Sequence, residues 1–141
     1  MNKDRVRTIV DEALETHEQE FGKYFLAKFY QLDISYAEET ETCVVQFPVE
    51  DYMYNPQGFL HGGVIAFALD VSMGHLCKRF LGTAVTLEMK TQYLRSVSKG
   101  IVKCQASFIK KGKSIVAIES SMSNEDGKLL AIANATWYRI D

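Results

Sequence analysis

Apolar residues follow two different patterns in the first fifty positions of the chain, a helical spacing first and a strand-like alternation later. From Lys3 to about Gln19, apolar residues recur at three-and-four spacing among charged ones, which predicts an amphipathic helix that packs against another surface. The aromatic-rich stretch 21–30 fits a helix end as well as a strand, and the pattern leaves it open. Residues 32–36 and 43–49 alternate between apolar and polar positions, which predicts a hairpin of two strands.

A long apolar segment follows the hairpin. It runs from Gly58 to about Phe80, and its length predicts the second helix. Several of its residues are small, so a curved sheet can approach closely: Gly62, Gly63, Ala66, Ala68 and Gly74. Period-two, β-branched runs return after residue 82 and predict four more strands, over 83–97, 100–109, 114–123 and 128–140.

The order of these elements predicts a single α+β domain over residues 1–141. Long antiparallel strands wrap around a central apolar helix in the core at 30–140, and the amphipathic helix at 1–20 is an addition to it. The composition agrees, because 141 residues with 47% hydrophobic and 24% charged residues are typical of one globular domain.

Charge and hydropathy make several partners poor candidates. A net charge of −2 supplies no basic field for nucleic acid. No apolar run reaches the roughly 18 to 20 residues of a membrane helix, and the N-terminal residues do not have the pattern of a signal peptide. We therefore expect a cytoplasmic protein.

The cysteines and histidines do not form a recognised metal motif. Cys43, Cys77 and Cys104 are widely spaced, without a C-x-x-C pair, which favours reduced thiols. His75 and Cys77 lie two residues apart, and without further ligands the expected arrangement is a histidine on the helix surface and a buried thiol. No metal site is predicted.

Asp70 is the only acidic residue between Asn55 and Cys77, and it lies in the apolar helix. Burial raises the pKa of such a carboxyl, which makes it a better base for water or a nucleophile. The alternative is a buried structural anchor that is hydrogen-bonded to a neighbouring strand.

The start of the same helix offers a second chemical group. Gly62 and Gly63 leave backbone N–H groups unshielded at the positive end of the helix dipole, where they can stabilise an oxyanion. The alternative role of these glycines is a tight turn. Gly62 and Asp70 are eight residues apart, roughly 12 Å along one helix. A single carbonyl group of a substrate therefore cannot touch both residues of one chain. Two antiparallel helices across a two-fold axis would bring each Gly62 opposite the partner's Asp70, which predicts an obligate homodimer.

These residues resemble the signature of hotdog-fold acyl-CoA thioesterases, in particular the phenylacetate-pathway and hydroxybenzoyl-CoA branch. The resemblance covers roughly residues 30–140, and it includes the strand TLEMKTQYLRS from Thr86 to Ser96. Its main element is the string Asn55-x-x-Gly58-x-x-His61-Gly62-Gly63, with Asp70 in the same helix. The sequence departs from the pattern at Ser96, where many members have proline, and in the added N-terminal helix.

The resemblance implies a role for each matching residue. The Gly62 amide would face the thioester carbonyl, and Asp70 would be the catalytic carboxylate. Asn55 and His61 would shape the turn and the water site, and we expect His61 to orient Asn55 through backbone hydrogen bonds rather than to transfer a proton. The substrate would contact Gly63, Phe59 and Leu60 near the turn, Thr86 beside the reactive centre, and Arg95 near the CoA phosphates.

The expected activity is hydrolysis of an acyl- or aryl-CoA thioester, with CoA as part of the substrate and no separate cofactor. The resemblance also implies that dimers pair into tetramers. The residues leave open whether the acyl group is aryl or aliphatic, and whether Asp70 acts on water or attacks the carbonyl. The lysines at 110, 111 and 113 are either solvated or bind phosphate.

Two other functions would fit the same fold. A non-catalytic module that senses acyl-CoA should lack the carboxylate or carry a DNA-binding segment, whereas this chain has Asp70 and no basic helix-turn-helix in residues 1–30. A hydratase or dehydratase would need an acid/base pair placed for proton abstraction next to the thioester, which the His-Gly-Gly turn resembles less.

Overall fold

A computed structural model describes all residues from Met1 to Asp141. Two helices come first, α1 at Lys3–Thr16 and α2 at Phe25–Phe29, and a 3-10 turn at Asp51–Met53 precedes the long helix α3 at Gly62–Phe80. The strands are β1 at Asp33–Ala37, β2 at Thr42–Pro48, β3 at Ala84–Tyr93, β4 at Ile101–Lys111, β5 at Ile115–Ser123 and β6 at Leu129–Arg139.

All six strands form one antiparallel sheet in the order β1-β2-β4-β5-β6-β3. Helix α3 packs against its inner face, where apolar side chains of the helix and strands form one core. Leu69 and Leu76 of α3 are fully buried there, and burying a leucine contributes about 1.5–3 kcal/mol. The hydroxyls of Ser72 on α3 and Ser120 on β5 are 2.7 Å apart, so this buried polar pair is satisfied. The predicted antiparallel sheet around an apolar helix is confirmed.

Helix α3 begins at Gly62, so the prediction that it starts at Gly58 is wrong. Gly58 has a φ of +88°, a left-handed conformation that favours glycine and cannot be part of an α-helix. The Asn55 amide N–H donates to the Phe59 carbonyl at 2.8 Å, which closes a compact turn. His61 then caps the helix. Apolar composition alone could not separate this turn from the helix that follows.

Strand β3 also ends earlier than predicted, at Tyr93 instead of Val97. The amide N–H groups of Leu94 and Arg95 both donate to the Leu130 carbonyl, at 2.8 and 3.1 Å, so the chain leaves the regular ladder there. Strand β4 continues two residues further than predicted, to Lys111.

The N-terminal helices are attached to the turn that precedes α3. Arg5 donates two hydrogen bonds to the Glu50 carboxylate, at 2.7 and 2.8 Å, and Gln31 donates to the same group. Helix α1 ends at Thr16, slightly before the predicted end, and the ambiguous stretch contains the short helix α2. No helix of the structure has the length and apolar character required to cross a membrane.

Candidate active site

The Asn55 side chain organises the turn that leads into α3. Its Oδ1 atom accepts hydrogen bonds from the amide N–H groups of Gln57 and Phe59, at 3.1 and 3.0 Å. Asparagine makes such turns because its short side chain reaches backbone groups two to four residues ahead. The turn in this way fixes the approach of the chain to Gly62.

The ring of His61 caps α3 directly. Its Nδ1 atom lies 2.8 Å from the Gly63 nitrogen and accepts that amide proton. An Nδ1 that accepts leaves the proton of a neutral imidazole on Nε2. The ring therefore bonds at the helix start, whereas the hydrogen bond of His61 to backbone near Asn55 comes from its amide N–H, which donates to the Met53 carbonyl at 2.9 Å.

The Gly62 amide is left as the free donor of this helix end. Its N–H makes no hydrogen bond within the chain, whereas its carbonyl accepts one from the Tyr93 hydroxyl at 2.9 Å. A Cβ atom at Gly62 would lie 3.3 Å from Cε1 of Tyr93, so the glycine allows the ring to approach. This amide, at the start of a capped helix and beside a tyrosine, is therefore available to a ligand.

A cleft of about 360 Å³ opens beside this amide, and we call it the Gly62 cleft. Its walls include five of the residues singled out from the sequence, namely Asn55, Phe59, Leu60, Gly62 and Arg95. His61 and Gly63 line a neighbouring hollow instead. Tyr93, which the sequence reasoning missed, is an aromatic wall of the Gly62 cleft together with Phe59.

Asp70 lies two turns further along α3. The Thr86 hydroxyl of β3 donates a hydrogen bond to Oδ1 of Asp70 at 2.7 Å. Burial raises the pKa of the Asp70 carboxyl, and the hydrogen bond from Thr86 lowers it by a smaller amount. The raised pKa makes this carboxylate a stronger base than an exposed aspartate.

Asp70 lines a second cleft of about 330 Å³, which we call the Asp70 cleft. Its other residues are mostly apolar or aromatic and come from α3, from β3 and β6, and from the loop before α2, with Phe21, Tyr24, Phe67, Gly74, His75 and Trp137 among them. No residue lines both clefts. Within one chain, the predicted oxyanion donor and the predicted carboxylate therefore open into different cavities.

His75 is a wall of the Asp70 cleft, so its predicted position on the helix surface is wrong. Only 3% of the residue is exposed, and its Nδ1 atom lies 3.0 Å from the Val71 carbonyl. Burial lowers the pKa of His75, which keeps the ring neutral near pH 7. Its spacing from Val64, Ala68 and Val71 follows the buried stripe of α3, and this periodicity was the sequence signal for its burial. Cys77 is buried as expected.

The lysine-rich turn is distant from the Gly62 cleft along the sheet. Lys111 forms an ion pair with Glu41 at 2.7 Å. It is the last residue of β4, and Ile101 is the first residue of the same strand. Strand β4 is roughly 35 Å long at about 3.3 Å per residue, and the turn that holds Asn55 lies near its Ile101 end. The structure brings together no cluster of three or more His, Cys, Asp or Glu side chains that could hold a metal ion.

Comparison with known proteins decides the family. The profile of the thioesterase superfamily matches residues 57–131, which contain the helix start, Asp70 and Thr86. The chain belongs to the thioesterase superfamily. This thioesterase is 32% identical over 101 residues to the 1,4-dihydroxy-2-naphthoyl-CoA hydrolase of Listeria monocytogenes, a match that covers 70% of the chain and 82% of that protein.

Solved structures show the same fold. The BH2602 protein of Bacillus halodurans, whose crystal structure was determined with CoA, aligns with a TM-score of 0.88 at 23% identity, over 100% of this chain and 96% of that one. The thioesterase HI1161 of Haemophilus influenzae aligns with a TM-score of 0.73 at 26% identity, over 77% of this chain and 78% of that one. The hotdog fold and the resemblance to thioesterases are confirmed, and thioester hydrolysis is the activity of this chain.

Proposed function

We propose that the thioesterase hydrolyses an acyl- or aryl-CoA thioester in sites shared by two copies of the chain. One copy supplies the Gly62 amide and the other supplies Asp70. The relative from Listeria monocytogenes, which is named for its hydrolysis of an aryl-CoA ester, supports the choice of CoA. Arg95 also supports it, because this exposed cation lines the Gly62 cleft and forms no ion pair within the chain.

Strand β3 carries the main observation for the shared site. It is an edge strand, and it contacts Asp70 through Thr86 near its beginning and Gly62 through Tyr93 at its end. If two β3 strands pair antiparallel around a two-fold axis, the Thr86 end of one lies opposite the Tyr93 end of the other. Asp70 of one copy then approaches Gly62 of its partner.

The exposure of β3 supports this pairing. Val85, Leu87 and Tyr93 are 46%, 56% and 53% exposed, an unusual amount of apolar surface on a ten-residue edge strand. An exposed edge strand with this much apolar surface invites pairing with another chain, and its two exposed charges, Glu88 and Lys90, are of opposite sign. A second copy would cover these side chains and complete the backbone ladder.

The reaction follows from the two groups. Asp70 accepts a proton from water as the water attacks the thioester carbonyl, and the partner's Gly62 amide donates a hydrogen bond to the oxyanion that forms. The tetrahedral intermediate then collapses, the C–S bond breaks, and CoA leaves as a thiolate. Direct attack by Asp70 would instead form a mixed anhydride that water cleaves. Both routes require the Asp70 carboxylate beside the thioester carbonyl, as a base in the first route and as a nucleophile in the second.

The activity is tested by thiol release from a panel of acyl- and aryl-CoA thioesters. We expect turnover of at least one thioester without added metal or cofactor, measured with a thiol-reactive chromophore. A purified, folded chain that binds these thioesters and releases no thiol from any of them would contradict the proposed function and favour a sensing module.

Disruption of the β3 edge should abolish both dimer and activity. Leu87→Lys places a charge in the middle of the apolar edge, so we expect sedimentation at the chain mass of 16.0 kDa rather than twice that value, together with loss of turnover. Ile109→Lys is the matched control, because Ile109 is equally exposed and lies on β4, three strands away from β3. An active monomer of the Leu87 variant would overturn the shared site.

A further inference from the structure

The segment between α1 and α2 forms one wall of the Asp70 cleft. Phe21 and Tyr24 line the cleft together with Asp70 and other residues of α3 and with Trp137 of β6. The Phe21 ring meets the His75 ring edge to face, with centroids 4.9 Å apart, and the Tyr24 ring lies 6.2 Å from the same histidine. This segment lies outside the predicted hotdog core, yet it contacts the space where the proposed reaction occurs.

The remaining walls of the cleft are also largely aromatic. Trp137 and Phe67 complete a set of four aromatic side chains around Asp70. A Cβ atom at Gly74 would lie 3.0 Å from Cη2 of Trp137, so the glycine lets the indole ring lie directly on the helix. Aromatic walls of this kind favour flat apolar groups over branched or bulky ones.

The charges of the cleft disfavour an anionic acyl group. Asp70 and Glu20 are the two charged residues that line it, and both are acidic. Glu20 is paired with Lys23 at 3.5 Å, and no lysine or arginine is among the lining residues, so a carboxylate on the acyl group would face Asp70 without a cation in the cleft wall. The acyl group that fits is uncharged.

Tyr24 adds one polar group to this aromatic wall. Its hydroxyl makes no hydrogen bond to any other residue. Burial and the negative charge of Asp70 raise the pKa of Tyr24 to about 12, so the hydroxyl is protonated near pH 7. A protonated phenol without a partner is a donor for an oxygen atom on a ligand.

We propose that the segment between α1 and α2 selects the acyl group, and that Tyr24 donates a hydrogen bond to an oxygen substituent on a flat, uncharged acyl group. The inference rests on the proposed thioester hydrolysis in the Asp70 cleft. It gives the N-terminal segment a function, and it makes Tyr24 a specificity-determining residue.

The test compares hydroxybenzoyl-CoA with methylbenzoyl-CoA, each substituted at ring position 2, 3 or 4. Hydroxyl and methyl groups have similar size, so the ratio of kcat/KM values within each pair isolates the hydrogen bond. We expect Tyr24→Phe to lower this ratio about tenfold for at least one ring position, the factor that corresponds to one lost hydrogen bond of about 1.4 kcal/mol. In the wild-type chain, succinyl-CoA should have a kcat/KM at least about tenfold below that of the best aryl thioester.

Tyr36→Phe is the matched control, because it makes the same chemical change on β1, away from the Asp70 cleft. Its ratios should equal those of the wild type, and the melting temperatures of both variants verify their folding. Equal ratios in Tyr24→Phe and wild type at all three ring positions would overturn the inference, even if kcat/KM fell by the same factor for both substituents. A wild-type chain that hydrolyses none of the thioesters would contradict the proposed function itself, a result distinct from a failure of selectivity.

Discussion

Replacement of Asp70 with asparagine is expected to lower kcat by at least about 100-fold, the usual scale for loss of a catalytic acid or base. Asparagine keeps the shape of the side chain and can still accept the hydrogen bond from Thr86, but it cannot take a proton from water. Steady-state thiol release measures the loss. Asp33→Asn makes the same change on the exposed strand β1 and should retain turnover.

The same substitution separates catalysis from a structural role. Burial raises the pKa of Asp70 in the folded chain above its unfolded value, so the stability linked to this group is present below the unfolded pKa and is lost as pH rises through the folded pKa. Near pH 7 the ionised carboxylate therefore disfavours folding, and Asp70→Asn should keep or raise the free energy of unfolding. A lower free energy of unfolding with retained turnover would indicate a structural anchor.

The pH profile of the wild-type chain should show the same group. Asp70 must be ionised to act as a base or nucleophile, so kcat/KM should fall as pH decreases through a pKa above the ordinary aspartate value of 3.8. This acidic limb should be absent from the residual activity of Asp70→Asn. An identical limb in the variant would mean that another group titrates.

Replacement of Gly62 with proline should lower kcat about 10²- to 10³-fold, because it removes the proposed oxyanion donor. The backbone conformation at this position is compatible with proline. Gly62 is the first residue of α3, a position that proline tolerates well, and His61 has a φ of −62° and a ψ of 135°, which suits a residue before proline.

Gly62→Ala is the matched control for the proline variant. Alanine adds the same Cβ atom, 3.3 Å from the Tyr93 ring, but keeps the amide N–H. The account predicts that the proline variant is at least about 100-fold slower than the alanine variant, with similar affinity for a non-hydrolysable substrate analogue. Equal turnover of the two variants would place the oxyanion on another donor.

The fold could be predicted from the sequence because period and composition agreed over long segments. The strands alternate around an inner apolar face, and α3 is apolar over most of its circumference, so both had to pack together. The start of α3 could not be located in the same way. Gly58 and Asn55 form a turn through backbone conformation and side-chain hydrogen bonds, which hydropathy does not report.

The site was predicted least well where tertiary contacts decide the role of a residue. The free lone pair of His61 bonds to the Gly63 amide because the helix start places that donor nearby. Tyr24 and Tyr93 reach Asp70 and Gly62 from segments 46 and 31 residues away in sequence, so no local motif joins them. The catalytic roles of Asp70 and Gly62, the shared site and the pairing of dimers into tetramers stay predictions.

The central claim, that two chains share each site, is tested most directly by mixed dimers. Asp70→Asn and Gly62→Pro chains should each be nearly inactive alone, since every site lacks one essential group. Random exchange makes about half of the dimers mixed, and each mixed dimer has one site with an intact Gly62 and an intact Asp70. The account predicts recovery to about one quarter of wild-type turnover once subunit exchange is demonstrated with differently tagged chains. A fully exchanged mixture that stays as inactive as its parents would show that both groups act within one chain, and would contradict the account.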